Sequence, residues 1–144
     1  MKRLNAIALL LSIMMLLTIG ASAAYIPPDS PDASAYIANY SAGIINGGNG
    51  VLKVSFDVTG TTTMAYIGAS SISIYKSNGT YVTTLLWTDS GRGGMMASNT
   101  IYNGDTESVY VGPGSYYAVI GFYAQKPSGS IGTKTVQTGT KTIT

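Results

Sequence analysis

The sequence predicts an all-β fold: an antiparallel β-sandwich of about seven strands, immunoglobulin-like or jelly-roll-like, behind a cleaved signal peptide. Three observations predict it. Apolar and polar residues alternate with a period of two over several short segments, which is the pattern of a strand with one buried face. Glycine and asparagine separate these segments at regular spacing, and no convincing amphipathic helix follows the N-terminal apolar run.

The first 23 residues have the pattern of a secretory signal peptide. Lys2 and Arg3 precede an apolar run over residues 6–19, and the small residues Ala21-Ser22-Ala23 follow it. The run is short for a membrane span, which needs about 20 apolar residues. We therefore expect cleavage after Ala23, export from the cell, and no membrane insertion of the mature chain.

The mature chain divides by composition into a linker and one domain. Residues 24–35 include the proline-rich stretch YIPPDSPDAS, which is typical of an extended linker. Residues 36–144 are long enough to bury a core of their own, so we expect a single β-sandwich domain there.

The first two predicted strands are AYIANYSAGII (35–45) and VLKVSFDVTG (51–60), joined by a glycine-rich hairpin loop, NGGNG. The second of them alternates strictly, so one of its faces must be buried. We expect Leu52, Val54, Phe56 and Val58 to face the core and Lys53, Ser55, Asp57 and Thr59 to face solvent.

The remaining strands are predicted from the same alternation and from turn residues. SSISIYKS (70–77) and TYVTTLLWT (80–88) flank the hairpin signal Asn78-Gly79. ESVYV (107–111) and SYYAVIGFYA (115–124) flank a Gly-Pro-Gly breaker, and the threonine-rich end of the chain, 133–144, has the pattern of an edge strand.

The turn at Asn78-Gly79 decides which side chains share a face, because a shift of one residue moves a whole strand to the other side of the sheet. With a two-residue turn, Ile74 lies opposite Thr83, and Tyr81 and Trp87 are carried onto the buried side. The tryptophan is then part of the core.

With a three-residue loop, Ser77-Asn78-Gly79, and a glycine bulge, Ile74 lies opposite Val82 instead. Three aromatic rings then share the exposed face and form a platform on which a sugar could stack. The members of this candidate platform are Tyr75, Tyr81 and Trp87.

The segment SGRGGMM (90–96) is predicted to be a loop because of its glycines, and its glycine spacing does not match a phosphate-binding motif. Two interpretations stay open. Arg92 pairs with Asp89 in a plain connecting loop, or it lies at the rim of the aromatic platform as a fourth ligand-binding residue, with the methionines as an adaptable apolar contact.

Composition excludes several function classes. Lys2 and Arg3 account for the whole formal charge of +2, so the mature chain carries no basic surface for nucleic acid or anionic lipid. The chain contains no histidine and no cysteine, which removes the usual catalytic bases, nucleophiles and zinc ligands. Scattered carboxylates remain, and we expect a protein that is not an enzyme and has no metal or cofactor.

The stretches VSFDVTGTTTMAYIGASSISIYKSNGTYV and PGSYYAVIGFYA, within Gly50 to Ala124, resemble a group of small secreted all-β proteins of Gram-positive anaerobes, known mainly as a domain of unknown function. The resemblance implies a secreted β-fold and transfers no active site. From the residues we expect an extracellular binding or surface-interaction module whose partner is a protein or a glycan. The alternatives are a carbohydrate-binding module with an aromatic platform and a structural protein that self-associates weakly through edge strands.

Overall fold

A computed structural model describes residues 35–144 of the protein. The predicted signal peptide, 1–23, and the predicted linker apart from its last residue lie outside the described residues. The described chain is all-β, and no helix within it is long and apolar enough to cross a membrane. The strands are β1 (Ile37–Gly48), β2 (Val51–Lys76), β3 (Tyr81–Leu86), β4 (Met96–Tyr110), β5 (Gly114–Gln125), β6 (Ile131–Gln137) and β7 (Lys141–Ile143), with a 3-10 helix at Gly93–Met95.

All pairings between the strands are antiparallel, and they join the seven strands into one sheet that curls into a half-barrel. The main strand order is β1-β2-β5-β6; β3 and β4 also pair with β2, and β7 pairs with β5. β2 has 26 residues, far longer than a common strand, and therefore has different neighbours along its length. Residues 51–59 run between β1 and β4, whereas residues 66–76 pair with β5 on one side.

The core lies on the inner face of the curled sheet. The alternation predicted for residues 51–60 is found, with Leu52, Val54, Phe56 and Val58 buried. Phe122 of β5 meets Phe56 edge-on across the interior, at 6.2 Å between ring centroids. The largest fully buried side chains come from several strands: Phe122, Leu52, Met64, Ile67, Ile72, Ile74, Met95, Ile120, Ile143, Val54 and Val58.

The all-β, antiparallel prediction is confirmed, and the number of strands is seven, although their bounds differ from those expected. The predicted strands 51–60 and 70–77 are two parts of β2, whose pairing with β4 is interrupted between Thr59 and Met64. The predicted strand 107–111 is only the end of the 15-residue β4. The last predicted segment divides into β6 and β7. The number of strands is still seven, because two predicted strands merge into β2 and one predicted strand divides into two.

Candidate ligand-binding site

The hairpin between β2 and β3 combines features of both predicted alternatives. Its turn is the three-residue loop: the N–H of Gly79 donates to the carbonyl of Lys76 at 2.8 Å, and the N–H of Lys76 donates to the carbonyl of Thr80 at 2.8 Å. Gly79 has φ +86°, which glycine adopts without strain. This loop places Tyr75 opposite Tyr81.

A bulge then changes the register within two residues. The partner of Ile74 is Thr83, so Val82 is an extra residue on β3. A two-residue turn would give the same pairing, but here a three-residue loop followed by a bulge produces it. Tyr81 therefore shares the outer face with Tyr75, while Leu85 further along β3 returns to the core.

Three tyrosines form a cluster on the outer face near this hairpin. The rings of Tyr75 and Tyr117, which are paired across β2 and β5, stack at 5.3 Å with 11° between their planes. Tyr81 meets Tyr75 edge-on at 5.7 Å. The hydroxyl of Tyr81 donates to Oγ1 of Thr84 at 3.2 Å, which holds the ring along β3.

Trp87 does not join this cluster, and it is not buried in the core. It follows the last residue of β3, is 42% exposed, and donates its backbone N–H to the carbonyl of Ser70 at 3.4 Å. It lines a cleft of about 450 Å³, which we call the Trp87 cleft. The residues that line this cleft are Tyr66, Ser70, Trp87, Met96, Tyr123 and Gln125.

The strands β2 and β5 build the floor of the Trp87 cleft. Tyr66 lies opposite Gln125, and Tyr123 and Gln125 are two residues apart on β5, so their side chains share one face. The hydroxyl of Tyr123 donates to Oε1 of Gln125 at 3.1 Å, and Oγ of Ser70 donates to the carbonyl of Gly121 at 2.9 Å. Aromatic faces and oriented polar groups therefore meet in a concavity of the size that small ligands occupy.

Sequence reasoning missed Tyr66 and Tyr123 as members of the site. A signal was present for Tyr123, because it alternates with the buried residues Phe122 and Ala124. Tyr66 lies in the part of β2 that was expected to separate two strands, so its face was not predicted.

Arg92 lies away from the tyrosine cluster and its rim. Its guanidinium forms an ion pair with Glu107 of β4 and approaches the carbonyl of Ser108 at 3.4 Å. The expected pair with Asp89 is wrong, because the Asp89 carboxylate accepts the backbone N–H of Leu86 at 2.8 Å and closes its own turn. The placement of Arg92 at the platform rim is not found either.

The loop containing Arg92 covers polar residues on the inner side of β4. Asn103 and Glu107 lie opposite Val58 and Val54, which are buried, and residues directly opposite each other in an antiparallel pair share a face. Arg92 satisfies Glu107, and the side-chain amide of Asn103 donates to the carbonyls of Gly94 and Met95 at 3.2 and 3.0 Å.

One glycine of this loop, Gly94, is required because the side chain of Asp105 lies directly against its backbone. A Cβ on Gly94 would overlap Oδ2 of Asp105, so no larger residue fits there while this carboxylate stays in place. Met95, the next residue, is fully buried. The loop therefore joins the core on one side and contributes Met96 to the Trp87 cleft on the other.

The carboxylates of the described chain have local partners. Asp57 accepts the hydroxyl of Ser41, Asp105 accepts the N–H of Thr106 at 2.8 Å, and Glu107 is paired with Arg92. Within residues 35–144, no group of three or more potential ligating side chains could hold a metal ion.

The residues described by the structure form a small antiparallel β-domain with a cleft lined in part by aromatic side chains. No protein-family model matches the chain, and a search of curated proteins finds no match. The geometry of the Trp87 cleft is therefore the basis on which a function is assigned.

Proposed function

We propose that the protein is a non-enzymatic extracellular binding module, and that the Trp87 cleft receives the apolar face of a sugar ring. The observation that carries this proposal is the meeting of three aromatic side chains around one concavity, the exposed Tyr66 and Trp87 and the half-buried Tyr123. Aromatic rings in such a cleft offer flat apolar surfaces, and a sugar ring has a flat apolar face of its own.

The polar groups of the cleft support a hydroxylated ligand. Gln125 carries an amide with two donor hydrogens and an oxygen that already accepts Tyr123, and Ser70 carries a hydroxyl with acceptor lone pairs. Such groups fix the orientation of a ligand whose affinity comes mainly from ring contact. A purely apolar ligand would leave them without partners, at a cost in free energy.

The proposal that the protein is not an enzyme rests on the available functional groups. No histidine or cysteine occurs in the chain, and the carboxylates Asp57, Asp105 and Glu107 hold local contacts away from the residues that line the cleft. A sugar in the cleft would meet hydroxyl, amide and aromatic groups, none of which is a strong general acid or base near neutral pH.

The extracellular location is proposed from the signal peptide predicted at residues 1–23. The domain type is proposed as a sandwich because Phe56 and Phe122 pack toward each other from different parts of the curled sheet. The resemblance of residues 50–124 to small secreted all-β proteins supports the proposed extracellular location.

Fluorescence of the protein tests the sugar proposal directly, because Trp87 is the only tryptophan in the chain. We expect long-wavelength emission and ready quenching by iodide, since the side chain is exposed. Titration with soluble oligosaccharides should shift the emission and protect it from iodide. Trp87→Ala should abolish binding measured by calorimetry.

Tyr110→Ala is the matched control, because Tyr110 is 74% exposed, lies on β4 and does not line the cleft. It should leave binding unchanged. The proposal is wrong if a broad panel of oligosaccharides leaves both emission and quenching of the wild-type protein unchanged. It is also wrong if the two variants lose affinity equally.

Self-association is a second candidate function, and the outer edge of β6 favours it. Among residues 35–144, β6 pairs with β5 alone, and it carries the exposed side chain of Ile131. An unpaired strand edge can add a strand from another molecule. Size-exclusion chromatography over a concentration series tests this candidate. Ile131→Lys should keep the protein monomeric if the edge is responsible, and a concentration-independent monomer argues against it.

A further inference from the structure

We infer that the outer face of the sheet binds an extended, uncharged glycan chain that runs from the Trp87 cleft to Tyr81. This inference rests on the proposed function and adds the length and charge of the ligand to it. The path between the two ends is a shallow surface of small and hydroxylated residues, which we call the trough. Its members are Ser71 and Ser73 of β2, Thr84 of β3 and Gly121 of β5.

Register places these residues side by side on one face. Ser71 lies between Leu86 on β3 and Gly121 on β5, and Ser73 lies between Thr84 and Val119 in the same way. A Cβ on Gly121 would lie only 2.8 Å from Oγ of Ser71, so the serine occupies the space above the glycine. The floor of the trough is therefore low at Gly121. The aliphatic side chains of Leu86 and Val119 share this face with the two serines and offer apolar contacts to a chain lying along it.

An aromatic ring stands at each end of the trough. Trp87 and Tyr123 line the cleft at one end, and Tyr81, 57% exposed, lies at the other. The hydrogen bond from Tyr81 to Thr84 keeps its ring along the strand, and the stacked pair of Tyr75 and Tyr117 supports it from the side. The exposed part of the Tyr81 side chain is open to a ligand.

The length of the trough exceeds a single sugar. Tyr123 and Tyr117 are six residues apart on β5, which corresponds to about 20 Å at the usual rise of a strand. A ligand that contacts both aromatic ends must therefore be an oligomer in an extended conformation. Each further contact within one bound chain forms at high effective concentration, so affinity increases with chain length.

The chemistry of the trough indicates an uncharged ligand. The side chains that form the trough and its two ends are aromatic, hydroxyl, amide, thioether or aliphatic, and none carries a charge. Oγ of Ser73 and Oγ1 of Thr84 share one hydrogen bond at 2.8 Å, and Oγ1 of Thr84 also accepts the hydroxyl of Tyr81. One hydroxyl proton and two lone pairs of this pair are left for a ligand. Charged polymers would lose hydration on this surface without gaining an opposite charge.

The experiment is a calorimetric titration of the mature protein with cello-oligosaccharides and chito-oligosaccharides, from the disaccharide to the hexasaccharide. We expect affinity to rise about tenfold or more along a bound series. Tyr81→Ala should remove most of this rise and leave disaccharide affinity unchanged. Tyr81→Phe keeps the ring and should retain the rise, and Tyr110→Ala serves as the control for a lost surface tyrosine.

Two outcomes separate this inference from the proposed function. Equal affinity for disaccharide and hexasaccharide, with Tyr81→Ala unchanged, overturns the extended site and leaves sugar binding in the Trp87 cleft intact. Failure of every oligosaccharide to bind the wild-type protein overturns both. Tighter binding of an anionic polymer such as polygalacturonate than of the neutral series contradicts the assignment of an uncharged ligand.

Discussion

Replacing Arg92 with alanine should destabilise the protein more than any ordinary surface substitution, although Arg92 lies in a loop. Arg92 pairs with Glu107, whose side chain is only 8% exposed; the arginine side chain itself is 24% exposed. Removing the cation leaves a carboxylate on the inner side of β4 without its charged partner. The loop would also lose one of its attachments to that strand and keep the hydrogen bonds from Asn103.

The magnitude follows from the burial of the pair. Breaking a fully buried ion pair by deleting one partner costs about 3–5 kcal/mol, because the remaining charge stays desolvated. Water reaches part of Arg92, so we expect a smaller loss of about 2–3 kcal/mol for Arg92→Ala. In a domain of this size, that loss lowers Tm by about 10 °C.

Urea denaturation of four proteins measures the effect: wild type, Arg92→Ala, Glu107→Leu, and the double variant Arg92→Ala with Glu107→Leu. The double variant should be more stable than Arg92→Ala, since it removes both charges together. An Arg92→Ala protein within about 0.5 kcal/mol of wild type would refute the reasoning, because that is the range of an unengaged surface residue. Strict additivity in the cycle would refute it equally.

Two further predictions concern the core and the contact between β2 and the loop. Phe56→Ala should lower the free energy of unfolding by about 3–5 kcal/mol, because Phe56 is buried against Phe122. Asp57→Ala should lower it by no more than about 1 kcal/mol, since it removes the hydrogen bond from Ser41. Equal losses of the two variants in urea denaturation would contradict one-sided burial of the strand. Gly68→Ala should lower the free energy of unfolding by about 1–3 kcal/mol, because the new Cβ would overlap the carbonyl oxygen of Met95. Gly93→Ala is the control: its Cβ would meet open space, so its stability should stay within about 0.5 kcal/mol of wild type. Thermal denaturation of the two glycine variants compares them, and a neutral Gly68→Ala would disprove the close approach.

The parts of the fold that alternate strictly were predictable from local sequence. Residues 51–58 of β2 and 116–124 of β5 keep apolar side chains on one face because a single physical rule, burial of one side of the sheet, acts on every second residue. The continuity of β2 through Thr61–Thr63 was not predictable. Exposed polar residues there resemble a loop, and only pairing beyond the interruption shows that the strand continues.

Most of β4 was missed for a different reason. Its inner side carries Asn103, Asp105 and Glu107, which a periodicity argument assigns to solvent. Asn103 and Glu107 are tolerated there because a loop earlier in the chain supplies carbonyls and a guanidinium, and Asp105 accepts the backbone N–H of Thr106. Such compensation depends on the folded path of the chain, so no local pattern reveals it.

The candidate site was predictable only in part, again because of distance along the chain. The glycine loop of the hairpin allowed Tyr75 and Tyr81 to be considered on one face, and the structure brings them together. The neighbours of Trp87 come from other strands, Tyr66 from β2 and Tyr123 from β5. Their convergence requires the order of strands in the sheet, which the sequence alone did not determine.

The length of β2 has a consequence for how the protein unfolds. Residues 51–59 of this strand pair with β1 and β4. Residues 66–76 pair with β5 and, over parts of their length, with β3 and β4, so neither part of the domain contains a complete set of strands without β2. Because β2 runs continuously through both parts, neither part can unfold without disturbing the strand with which the other part pairs. Amide hydrogens near Val54 and Ile74 should therefore exchange with solvent through one common global opening, with similar free energies, despite the distance between them in the chain.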